Sequence, residues 1–218
     1  MKFTSAVLIG IVLLLGTIAF AQQQQAAPSK GEVFIEYSYL RFNPTIPQVR
    51  NRSFNGGGGG FTFFLGKYFG IKGEFMGYAS TTFTKVVTAP IVTTRGTIPV
   101  GVFSSQGNMF TYLFGPVIRL FPTSKATPFG EVLFGGSNTN GYTDLVKSIN
   151  AGGGTITATG TQHPFTMAVG GGLDLNVSQH FAVRPVEIDY LLTRYSNPLT
   201  STNNQNNFCY LGGIAFKF

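Results

Sequence analysis

From Glu32 onward, apolar and polar positions alternate in stretches of about ten residues separated by turn-rich segments. A period of two belongs to strands whose two faces meet different surroundings. Eight stretches fit, at about 32–43, 56–66, 70–81, 108–120, 127–137, 164–176, 181–193 and 207–218. In the last, Phe208, Tyr210, Gly212, Ile214, Phe216 and Phe218 share one face, while Cys209, Leu211, Gly213, Ala215 and Lys217 share the other. The stretch at 164–176 sets Phe165, Met167, Val169, Leu173 and Leu175 against Thr166, Ala168, Gly170, Gly172 and Asp174. At 108–120, Phe110, Tyr112, Phe114, Ile118 and Leu120 oppose Thr111, Gly115 and Arg119. In 181–193 Arg184 falls on the opposite parity from Glu187 and Asp189, and Pro185 between them predicts a bulge that resets the register.

The connections alternate between long and short, with short turns at 66–69, 121–126 and 177–180. Short periplasmic turns, long extracellular loops and an even strand count are the rule for membrane barrels. Composition sharpens this reading. Charged residues are 11% of the chain, against about 25% in soluble domains. Yet no apolar run after residue 21 reaches the roughly 18 residues of a spanning helix. A chain this apolar without spanning helices predicts an all-β fold, a closed eight-stranded antiparallel transmembrane β-barrel. A soluble ligand-binding barrel would carry a polar outer face, whereas here the outer face takes the Phe and Ile positions.

Residues 1–21 read as a secretory signal peptide, with Lys2, an apolar core at 6–16 and Ala19-Phe20-Ala21 as the cleavage site. Residues 22–31 form a polar, Gln-rich lead-in, and 32–218 the barrel domain. Cys209 is the single cysteine, so no intramolecular disulfide forms.

Parity collects Glu36, Lys72, Glu74, Arg119, Glu131, Asp174, Arg184, Glu187, Asp189 and Lys217 on the inner face. An eight-stranded barrel has room inside only for its own side chains, so these charges are expected to pair and plug the lumen. The alternative is a narrow pore in which Glu36, Glu74 and Glu131 line a proton or ion path. The formal net charge is +7, or +6 without Lys2. Most of that excess falls on the external rim, where Arg41, Arg50, Arg52, Lys85, Arg95, Lys147 and Arg194 face a single acid, Asp144. Such a rim suits the phosphates of lipopolysaccharide. No nucleic-acid partner is expected.

No catalytic, cofactor or metal site is expected either. The Gly runs at 56–60, 152–154 and 170–172 complete no phosphate-binding motif. They read as sites of strand curvature and close packing, or as a flexible loop. Neither His163 nor His180 has a second His or Cys ligand nearby. A lipid-modifying barrel enzyme centred on His163 at the external rim would need a nucleophile and an orienting acid beside it; none is local in the sequence.

Residues 32–218 resemble the eight-stranded outer-membrane β-barrel family that includes the transmembrane part of outer-membrane protein A. The features are the opening Val33-Phe34-Ile35-Glu36-Tyr37-Ser38-Tyr39, Gly130-Glu131, Gly170-Gly171-Gly172-Leu173-Asp174, and Arg184-Pro185 through Asp189-Tyr190. Tyr210, Ile214, Phe216 and the terminal Phe218 resemble the signal read by the barrel-assembly machinery. The resemblance implies the bacterial outer membrane and that machinery as a partner in biogenesis. It leaves open which of the family's structural, adhesion or resistance roles applies. The expected function is a monomeric, non-enzymatic barrel with a structural or surface-interaction role.

Overall fold

A computed structural model describes residues 28–42, 52–80, 83–93, 96–105, 107–139, 141–157, 163–194 and 204–218. The signal peptide and residues 22–27 of the lead-in lie outside these, as do Arg50 and Arg95 and the side chains of Arg52 and Lys85.

Eight antiparallel strands close into a barrel: β1 (Gly31–Phe42), β2 (Arg52–Phe64), β3 (Phe69–Ser80), β8 (Asn108–Arg119), β9 (Ala126–Thr139), β10 (Phe165–Asn176), β11 (Phe181–Arg194) and β12 (Asn204–Lys217). β1 pairs with both β2 and β12, so no edge is left open. The alternation reads out as burial. Val33, Ile35, Tyr37 and Tyr39 of β1 are exposed, while Glu32, Phe34, Glu36, Ser38 and Leu40 between them are buried. Phe208, Tyr210, Ile214, Phe216 and Phe218 are likewise exposed on the outside. An apolar exterior around a polar interior is the arrangement that hydrocarbon demands. The register shifts between Arg184 and Glu187 of β11, around Pro185, which brings Arg184, Glu187 and Asp189 all inside.

β2 begins at Arg52, four residues earlier than the alternation indicated, because Arg52 to Asn55 pair with Phe42 to Tyr39 of β1, and the Gly56–Gly60 run continues the strand. Glycine serves there to admit larger neighbours. A Cβ on Gly56 would meet the Tyr78 ring at 2.6 Å, and one on Gly58 the Met76 sulfur at 2.5 Å.

Two of the long connections, between β3 and β8 and between β9 and β10, carry structure of their own. Between β3 and β8, β4 (Phe83–Val87) pairs with β7 (Gly101–Ser105), and β5 (Ile91–Thr93) with β6 (Gly96–Ile98). Between β9 and β10 lies a helix, α1 (Gly141–Ala151). The two excursions interlock. Val87, Ile98 and Phe103 share a small core with Val146, Ile149 and Ile156. Thr97 N donates to Thr155 Oγ1 and Ser104 N to Ser148 Oγ, each at 3.1 Å. Val146 and Ile149, with Tyr142 and Leu145, carry the i, i+3, i+4, i+7 spacing of a helix, with Asp144 in the first turn and Gly152–Gly154 after the end. That signal was present in a stretch that reads overall as a long loop.

Candidate functional site

Strand direction divides the lumen into layers. Towards the end with the short turns, two cations organise the carboxylates. Arg184 reaches Glu36 at 2.7 Å, Asp174 at 2.8 Å, Glu187 at 3.1 Å and Glu32 at 3.2 Å. Lys72, 1% exposed, reaches Glu187 at 2.8 Å, Glu131 at 2.9 Å and Glu74 at 3.0 Å. The contact to Glu74 Oε2 has the distance of an ion pair but not hydrogen-bond geometry, so it acts by charge alone. Lys217 adds Asp174 at 3.2 Å and Asn176 Oδ1 at 2.7 Å. Phe129 lies 4.3 Å from the Arg184 guanidinium and Phe34 4.8 Å from the Lys72 ammonium, placing ring faces on the flanks of both cations.

Three members depart from a simple pairing of inward charges. Arg119 forms no ion pair with an acid among the described residues. Its guanidinium donates to the Ser29 carbonyl at 2.7 Å, to Ser29 Oγ at 2.8 Å and to the Lys67 carbonyl at 3.0 Å, and stacks 3.4 Å from the centre of Phe64. Glu32, on the same parity as Glu36, joins the interior and bonds Arg184 and Thr62. The alternation contained this residue, and it was missed because it opens its strand. Asp189 is buried, and its Oδ1 has no hydrogen-bond partner among the described residues.

Above the charges sits an apolar layer. Leu40, Met76, Leu113, Leu133, Leu191 and Leu211 are buried against Tyr78 and Cys209 from the surrounding strands. Nearer the external mouth follow Ser137, Thr166, Thr193, Gln205 and Asn207, all buried. A small cavity at the opposite end, between Arg119, Arg184, Lys217 and Glu131, has room for about one water molecule.

On the outside, a girdle of tyrosines marks the external interface. Tyr37 and Tyr190 each donate to an Asn side chain, Asn55 and Asn206, at 2.7 Å, and Tyr39 packs 6.4 Å from Tyr210. Arg41 continues the outward face of β1 one position beyond Tyr39, Arg194 that of β11 two positions beyond Tyr190, and both are exposed. Lys147 projects from α1, 3.8 Å from Asp144 and largely in solvent. Arg52 opens β2 opposite Phe42, and Lys85 lies in β4. Tyr210, Ile214, Phe216 and Phe218 face outwards on β12 and its end, with Phe218 joined to Gly31 through backbone bonds of 2.9 Å. His180 is in the turn at 177–180, stacked 6.1 Å from Phe216. His163 is exposed beside Pro164, and among the described residues no Ser hydroxyl or carboxylate is bonded to it.

No protein-family profile matches the chain, and no curated protein is similar to it in sequence. Its fold does match solved structures. Neisserial surface protein A aligns over 88% of this chain and 100% of its own at 8% identity, with a TM-score of 0.58. The outer membrane protein OprG from Pseudomonas aeruginosa aligns over 90% and 99% at 13% identity, with a TM-score of 0.50. At such identities the likeness establishes the fold, that of the eight-stranded outer-membrane β-barrels.

Proposed function

Starting from this outer-membrane barrel fold, we propose that the chain is a monomeric, non-enzymatic surface-interaction protein whose lumen is plugged and whose external rim holds lipopolysaccharide. The observation that carries the reading is the interlocked external unit of β4 to β7 and α1, with its own core. A barrel that only filled membrane would not need folded loops. Beneath it, the apolar layer and the ion-pair network fill the interior with side chains, which favours a plug over a pore. Among the described residues no acid or Ser is bonded to His163, which leaves a hydrolase without support.

Arg41 and Arg194 are exposed on the outward faces of β1 and β11 beyond Tyr39 and Tyr190, which supports a rim that meets lipid phosphates. Arg grips phosphate through parallel charge-assisted hydrogen bonds. Charge reversal at both should lower the lipopolysaccharide that co-purifies with the barrel and flatten the salt dependence of what remains. Unchanged co-purification and salt dependence would remove the lipid reading, and conductance steps in planar bilayers would replace the plug with a pore.

A further inference from the structure

The two faces of the external ribbon formed by β4 and β7 are not alike. One carries Val87 and Phe103, buried in the core shared with α1. On the other, Val86 and Val102 lie directly opposite each other, 59% and 66% exposed. Thr84 and Ser104, also exposed, form the next pair on that face, and no charged residue falls between them.

The two edges differ as well. Ser104 N donates to Ser148 Oγ of α1, so this amide points away from β4 and the Thr84–Ser104 pair exchanges no ladder bonds. The helix thus covers the β7 edge. Alternation along an antiparallel ladder then gives the hydrogen bonds to the Lys85–Phe103 pair, and turns the amides and carbonyls of Thr84 and Val86 out along the far edge of β4. No third strand pairs there, and among the described residues no hydrogen bond reaches those four groups. Edge strands are ordinarily blunted by proline, bulges or charge. β4 has no proline and no register shift, and Lys85 is its single charge.

We infer that the free edge of β4 docks an extended segment of a partner protein, which adds to the ribbon as a third strand. The inference rests on the surface-interaction reading and names the kind of partner. A strand laid along β4 would meet the outward groups of Thr84 and Val86 with its own backbone. Its residues opposite those two fall on the face of Val86 and Val102, so apolar side chains there extend the aliphatic strip. Charge selects against a second copy of this chain. Antiparallel self-pairing over the whole of β4 sets Lys85 opposite its own counterpart, and like charges directly opposite destabilise a sheet. An acid in that position suits Lys85 instead. Asp144, the one acid of the sequence outside the lumen set, lies 3.8 Å from Lys147, so the external unit offers an acidic partner no competing negative charge.

The test uses the full barrel folded in detergent and a terminally blocked peptide, Thr-Val-Glu-Val-Thr, whose glutamate falls opposite Lys85. At saturating peptide, amide hydrogen exchange is expected to slow about ten-fold or more at Thr84 and Val86, while Lys85, already bonded to β7, keeps its rate. The same peptide with lysine in place of glutamate should bind about three-fold or more weaker. Val86→Pro removes one outward amide and leaves the bonds to β7 in place, and should weaken binding of the glutamate peptide about ten-fold or more. Thr84→Pro carries the same expectation if Val86→Pro fails to fold. Unchanged exchange at Thr84 and Val86 in excess peptide would overturn the docking site, as would undiminished binding by the proline variant. Protection of these amides on raising the barrel concentration alone would make the occupant a second copy and overturn it too. Lipopolysaccharide co-purification is read at Arg41 and Arg194, away from this ribbon, so failure of the edge and failure of the surface reading are told apart.

Discussion

Arg119 holds Ser29 by two hydrogen bonds, one to its carbonyl and one to its hydroxyl, and so ties the segment preceding β1 across the base of the barrel. The side chain that parity places among the lumen charges is thus an anchor for the chain's own backbone. It lies 90 residues from its partner in sequence, and nothing local announces the contact.

The first prediction tests that anchor. Arg119→Met should cost about 1.5–3 kcal/mol, the range for hydrogen bonds to a charged group, and should release residues 28–30 to faster hydrogen exchange. Combined with Glu131→Gln the costs should add to within about 0.5 kcal/mol. A larger coupling in urea unfolding would mean that the two charges pair in solution.

Lys72 should behave in the opposite way. It meets three carboxylates from β3, β9 and β11. Lys72→Met strands them together in a water-poor interior, with an expected cost of about 3–5 kcal/mol. Adding Glu187→Gln should recover part of it, because one stranded charge is removed. Unfolding of both forms in lipid vesicles measures the difference; a loss under about 1 kcal/mol for Lys72→Met would refute the network as a stabilising element.

Two glycines separate close packing from mere tolerance. An added Cβ at Gly135 would collide with the Tyr112 carbonyl, whereas at Gly130 it would stand 3.7 Å from its nearest neighbour, an ordinary contact. Gly135→Ala should therefore destabilise the barrel by about 1–3 kcal/mol or more through overpacking, while Gly130→Ala should fold with little change. Comparable yields of heat-resistant folded barrel for the two would count against this backbone approach.

The external unit should unfold separately from the barrel. Phe103 and Ile149 are buried across the interface between the two excursions. Phe103→Ala is expected to cost the unit about 3–5 kcal/mol and open it to protease within residues 83–105 and 141–157, leaving the barrel's thermal midpoint in place. A parallel fall in both would show one cooperative unit.

Phe218→Ala keeps the backbone bonds to Gly31 and removes only an exposed ring. It should lower the rate and amount of barrel inserted by the assembly machinery while leaving the stability of inserted protein within about 0.5 kcal/mol. Normal insertion kinetics would sever the link between this residue and assembly.

The alternation along the chain determined which face each strand residue takes, and with it the barrel, its apolar exterior and the inward set from Glu36 to Lys217, because a strand has a strict period of two and a closed sheet offers only an inside and an outside. Even the reset at Pro185 was legible, since a proline at a parity break inside a strand marks a bulge. The partners were not. Lys72 meets Glu187 across 115 residues, and Arg184 meets Glu32 across 152. Such contacts depend on strand tilt and stagger, which set the height of each side chain in the lumen and which no single strand encodes. The same holds for β4 to β7 and α1. Each excursion alone has too little apolar surface to stay folded, and it was their docking, Val87 and Phe103 against Val146 and Ile149, that turned two loops into structure.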